Sequence, residues 1–168
     1  MQEKEIKEFV KNRYSKIAKN ENSSCSYCNS SSDLITKQAQ AAGYSTKELK
    51  SIPEEAVFGL GCENSTALAD IQAGETVLDL GSGGGIDVFL AANKVGVNGR
   101  VIGVDMTPDM IETAVKNAQN GGYTNVEFKL GEIENLPIEE NSIDVIISNC
   151  VINLTPDKNN AIEKFFGF

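Results

Sequence analysis

The stretch Thr76-Val-Leu-Asp-Leu-Gly-Ser-Gly-Gly-Gly-Ile86 decides the fold. Its first half is β-branched and apolar, as a strand buried on both faces should be. Its second half carries glycines at 81, 83 and 85, which permit a tight turn and a close backbone approach to something outside the chain. An apolar helical run, Ile86–Val95, follows directly. Downstream the pattern repeats: a strand over Arg100–Asp105, a helix over Pro108–Asn120 with Thr107 as its cap and Gly121-Gly122 as its stop, then strands over Asn125–Leu130 and Ile143–Ser148. A last helix is expected over Asp157–Phe166. Strands alternating with helices imply right-handed crossovers and a Rossmann-like α/β fold, a parallel sheet with helices on both faces.

Upstream, Ile6, Phe9, Val10, Tyr14 and Ile17 form one apolar helical stripe. Asn20–Asp33 is rich in Ser and Asn and reads as a loop; Leu34–Ala42 and Ser45–Lys50 read as helices, Pro53 can open a third, and Asn64 or Ser65 can cap one running through Ile71. The chain thus divides into an N-terminal helical segment with a cysteine loop, residues 1–71, and a nucleotide-binding type of domain, residues 72–168.

Composition narrows the partners. The 168 residues carry a net charge of −9 and no histidine. The acidic balance argues against nucleic acid and anionic membranes, which need a basic face, and leaves a small-molecule substrate. No apolar run reaches the roughly 20 residues a bilayer requires, and the charged N-terminus lacks the core of a signal peptide, so a cytoplasmic location is expected. There Cys25, Cys28, Cys62 and Cys150 should be thiols. On spacing alone, Cys25-x-x-Cys28 can be half a zinc site, and Cys62 or Cys150 can be a buried apolar residue. Cys150, just after the fourth strand, falls where such folds bind ligands.

The glycine loop sits where this fold binds nucleotides. A dinucleotide fingerprint needs a glycine where Ile86 stands, and a phosphate-binding P-loop needs a Gly-Lys-Ser/Thr ending that is absent. The spacing Asp79-x-Gly81-x-Gly83-x-Gly85 instead resembles the first motif of class I S-adenosylmethionine-dependent methyltransferases. An acid beside the bend suits a cofactor with a cationic amino end. Asp105, closing the second strand 24 residues after Gly81, can accept the ribose hydroxyls.

A finer resemblance is to arsenite methyltransferases. It rests on Gly59-Leu-Gly-Cys62, Thr76–Ala92, Gly103-Val-Asp-Met-Thr107, Ser148-Asn-Cys-Val-Ile-Asn-Leu-Thr-Pro-Asp157, and the pattern Arg13-Tyr14, Cys25-x-x-Cys28, Gly43-Tyr44. It implies S-adenosylmethionine bound by Asp79, Gly81, Ser82, Gly83, Gly85, Asp105 and Met106. The corner at Glu132 and Ile133 would bracket the adenine, and Asn149 would face the transfer centre. It also implies Cys62 and Cys150 as catalytic ligands of trivalent arsenic, with Cys25 or Cys28 as the third, and a thiol reductant. Soft thiolates suit soft arsenic, whose lone pair needs no proton removed, so the missing histidines are no obstacle. Methylation of another small molecule, or a non-catalytic module binding cofactor or arsenic, are the alternatives.

The family pattern continues with a helix, three more strands and a further cysteine. Against it this chain reads as truncated after the fourth strand, ending Ala161-Ile-Glu-Lys-Phe-Phe-Gly-Phe168. A four-strand half-sheet is expected to leave one edge and one apolar face uncovered, favouring a homodimer through that face.

Overall fold

The computed structural model describes residues 3–19, 32–60, 63–149 and 151. The helix expected over Asp157–Phe166 lies outside them. Four strands, β1 (Thr76–Leu80), β2 (Arg100–Asp105), β3 (Val126–Leu130) and β4 (Val145–Ser148), pair in parallel in the order β3-β2-β1-β4. The chain runs outward from β1 through β2 to β3, then crosses back to place β4 on the other side of β1. The strand order reverses between β1 and β4, and the ligand crevice of such a sheet lies at the carboxyl ends there.

β1 is central, and its four residues after Thr76 are all buried. Side chains alternate across a strand, so Val77 and Asp79 share one face and Leu78 and Leu80 the other. On the first face, α5 (Ile86–Val95) presents Val88, Ala91, Ala92 and Val95 to Val77, Val101 and Ile147. Phe89, fully buried, meets Tyr123 at a ring separation of 4.6 Å and Phe128 edge-on at 5.9 Å. Helix α6 (Pro108–Gly121) lies on the same face, adding Ala118 beside Phe89 and Val126.

The opposite face is not open along the central strands, which corrects the expectation from sequence. Leu78, Leu80, Ile102 and Val104 are buried, packed by Ile133, Leu136, Ile138 and Ile143 of the β3–β4 connection and by Val151. Irregular chain can cover a sheet face when its apolar residues happen to point inward, and no periodicity announces it. Leu130 on the edge strand β3 remains half-exposed at 54%.

The N-terminal segment packs against this domain. Helices α1 (Glu3–Ala18), α2 (Ser32–Ala41), α3 (Thr46–Leu49) and α4 (Ser65–Leu68) precede the sheet, with a 3-10 turn at Glu54–Ala56. Ala39, Tyr44, Ile52 and Ala56 share a buried cluster with Phe89, Leu90 and Ala118. Asn64 caps α4 by accepting from the Ala67 amide, and the helix ends at Leu68, before Ile71.

The bend after β1 depends on backbone that only glycine adopts cheaply. At Gly85 φ is 99°, and an added Cβ would stand 2.7 Å from the Phe89 ring and 3.1 Å from the Phe128 ring. Gly85→Ala therefore combines strain with overpacking and should cost roughly 2–4 kcal/mol in urea unfolding. Gly83→Ala, at φ 51° with nothing within 4 Å of the added carbon, should cost only about 1 kcal/mol. Equal losses in the two variants would contradict this packing account.

Candidate active site

The carboxyl ends of β1, β2 and β4 open into one cavity. Asp79, Gly81, Ser82, Gly83, Asp105, Met106, Ile133 and Asn149 all line it, so eight of the expected site residues converge. Gly85 stands behind the bend, against Phe89 and Phe128, and serves it by packing. Glu132 does not line the cavity; Ile133 and Glu134 do. Cys25, Cys28, Cys62 and Cys150 lie outside the described residues.

The bend is clamped to the tip of β2. The amides of Gly81 and Ser82 both donate to the Val104 carbonyl, at 2.8 and 3.1 Å. Asp105 accepts from the Gly83 amide at 3.0 Å through one oxygen and from the Thr107 amide at 2.8 Å through the other. Thr107 occupies the N-cap position of α6, but its side chain caps no helical amide; it turns to Asp105 instead. From behind, the buried Asn117 side chain donates to the Gly84 carbonyl at 3.1 Å.

Three carboxylates surround the bend. Burial, then the charges of Asp87 and Asp105, raises Asp79 well above the ordinary carboxylate range. Asp87 is raised by burial, opposed by hydrogen bonds from Tyr44, Asn149 and Ser65. Asp105 is raised by burial, opposed by the Thr107 and Gly83 amides. None of the described residues donates a hydrogen bond to the Asp79 side chain. The Ser82 hydroxyl, also buried, has no partner among them. A site with concentrated negative charge, an orphaned hydroxyl and open space over Gly83 is built for a polar ligand carrying positive charge. A sulfonium with an ammonium-bearing tail fits those requirements.

Two sets of contacts in this site were not expected from the sequence. Tyr44 donates to Asp87 Oδ1 at 2.9 Å, Ser65 donates to Oδ2 at 3.0 Å, and Asn149 Nδ2 lies 3.2 Å from the same oxygen. An acid in a first helical turn is ordinary, since it complements the helix dipole, so Asp87 gave no warning. The second set comes from α1, whose Lys7, Val10 and Tyr14 line the cavity. Lys7 pairs with Glu132 at 2.9 Å and Glu134 at 3.2 Å, and Lys11 pairs with Glu132 at 3.0 Å. These contacts from Lys7 and Lys11 hold the Glu132 carboxyl below its usual range.

The chain belongs to the family described as "Methyltransferase domain", which matches residues 71–168. S-adenosylmethionine is the cofactor expected of it. Over 168 residues the chain is 43% identical to an arsenite methyltransferase of Halobacterium salinarum, covering 95% of this chain and 43% of that protein. An arsenite methyltransferase of Aquipseudomonas alcaligenes is 38% identical over 172 residues, 95% of this chain and 46% of its own. A crystal structure of an arsenic(III) S-adenosylmethionine methyltransferase from Chlamydomonas reinhardtii superposes with a TM-score of 0.59 at 37% identity, over 77% of this chain and 44% of that one. The chain thus spans less than half the length of these relatives. Among the described residues no helix is long and apolar enough to cross a membrane.

The charge cluster gives a signed prediction. A folded-state acid raised above its unfolded value stabilises the fold below the ordinary carboxylate range, and that contribution is lost as pH rises through the raised value. Above the ordinary carboxylate range the buried Asp79 carboxyl therefore opposes folding. Asp79→Asn should raise the thermal midpoint at pH 7, with the advantage fading below about pH 4, while weakening donor binding at least tenfold. A lower midpoint at pH 7, or an advantage indifferent to pH, would remove the argument.

Proposed function

We propose that this chain transfers a methyl group from S-adenosylmethionine to trivalent arsenic held by cysteine thiolates. Cys62 and Cys150 are two of the ligands and either Cys25 or Cys28 is the third. The observation that carries the reading is where the chain neighbours of two cysteines meet. Asn149, next to Cys150, donates its side-chain amide to the carbonyl of Glu63, next to Cys62. Leu60, Asn149 and Val151 line the same cavity as the cofactor bend. The identity with arsenite methyltransferases over 95% of the chain supports the same substrate.

In this reading the chain's own residues bind and align. The bend at Gly81–Gly85, with Asp79, seats the amino end of the donor. Asp105 and Met106 hold the ribose end, and Ile133 packs on the adenine beside the Glu132 and Glu134 corner. When bound, the cofactor supplies an electrophilic methyl on a sulfonium. The arsenic lone pair forms the new As–C bond while the S–C bond breaks and its electrons pass to sulfur. No proton leaves the nucleophile, so no general base is needed. The protein's contribution is alignment of nucleophile, carbon and leaving sulfur, together with exclusion of water. Arsenic oxidised by the transfer is returned to the trivalent state by a thiol reductant, consistent with a cytoplasmic setting.

The test is a methyl-transfer assay with arsenite or its thiol conjugate, donor and excess thiol, read by mass spectrometry. Methylated arsenic is expected, with Cys62→Ser and Cys150→Ser each losing at least tenfold, the scale of a displaced nucleophile. Donor binding without any methylated arsenic would overturn the reading in favour of a binding module. Unchanged turnover of an organic acceptor in the serine variants would favour a different small-molecule substrate.

A further inference from the structure

We infer that Tyr44 is a positioning residue for the arsenic side of the site, acting through Asp87, Asn149 and Glu63; the inference rests on the function proposed above. Tyr44 is 2% exposed, with its ring in the cluster of Ala39, Ile52, Ala56 and Phe89. Its hydroxyl lies 2.9 Å from Asp87 Oδ1, 3.1 Å from Asn149 Nδ2 and 3.2 Å from the Glu63 carbonyl. A tyrosine has one O–H to give. The carboxylate is the stronger of the two acceptors, so the proton goes to Asp87 and the hydroxyl oxygen accepts from Asn149. The Glu63 carbonyl is then served by the Asn149 amide. Burial and the Asp87 charge hold the tyrosine pKa far above neutrality, so the donor persists across the working range.

Three chain segments therefore converge on the first turn of α5: residue 44, residues 63–65 and residue 149. The cofactor bend does not need this hub, because Val104, Asp105 and Asn117 already clamp it. What the hub adds is a fixed relation between α5, which begins at the end of the bend, and the two residues that adjoin Cys62 and Cys150. A buried carboxylate is costly unless its oxygens are occupied, so the network is held closed by the penalty of opening it. Tyr44 acts through its neighbours; in-line transfer tolerates little misplacement, and that places the demand for such a hub.

Tyr44→Phe removes the hydroxyl and keeps the ring. In the full 168-residue chain, arsenite affinity is measured by equilibrium dialysis and S-adenosylmethionine affinity by calorimetry. Arsenite binding should weaken about tenfold, the loss expected of a buried charge-assisted hydrogen bond, while donor affinity stays within about threefold. Unchanged arsenite affinity, or equal losses of both ligands, overturns the inference while leaving the proposed function standing. If the unsubstituted chain takes up no arsenite, the proposed function fails and the inference with it. Should Tyr44→Phe not fold, Ser65→Ala, which removes another donor to Asp87, is read by the same ratio, and equal losses there are equally decisive.

Discussion

The amides of Gly81, Ser82 and Gly83 all point at the tip of β2, two to the Val104 carbonyl and one to the Asp105 carboxylate. That attachment holds the bend closed, and most other features of the site follow from it. It places Asp79 and Asp105 at the floor of one cavity and starts α5 at Gly85. It also leaves the space above Gly83 free for a ligand. Any side chain at Gly85 would drive into the Phe89 and Phe128 rings, so the bend and the core behind it specify one another.

The same attachment has an energetic consequence. It gathers carboxylates where water is scarce and none of the described residues supplies Asp79 with a counter-ion. An ionised Asp79 is unfavourable there, and a cationic donor would relieve it, so binding should stabilise the fold by linkage as well as occupy the site. Asp105 is in a different state. Each of its oxygens already accepts an amide hydrogen bond, which orients the carboxyl.

Much of the sheet domain was legible because burial imposes a period. Thr76–Leu80, Ile86–Val95 and Arg100–Asp105 begin and end where the apolar pattern and the glycines place them. Features that depend on long-range meetings were not legible. Tyr44 and Asp87 are 43 residues apart, Asn149 and Tyr44 are 105 apart, and Lys7 and Glu132 are 125 apart. A tyrosine after a glycine, or an acid in a first helical turn, has ordinary local explanations that hide a shared network. The cover over Leu78, Leu80, Ile102 and Val104 was missed for a related reason: Ile133, Leu136, Ile138 and Ile143 follow no helical or strand period.

The proposed function depends on the glycine bend and Asp105 acting together as a seat for the methyl donor. Titration calorimetry of the 168-residue chain with S-adenosylmethionine, repeated on Asp105→Ala, tests that directly. A saturable one-to-one complex is expected in the unsubstituted chain and affinity at least tenfold weaker in the variant, since a carboxylate that holds two amides and would also hold the ribose is worth more than one neutral hydrogen bond. A chain that binds no donor, or a variant that binds as tightly as its parent, would contradict it.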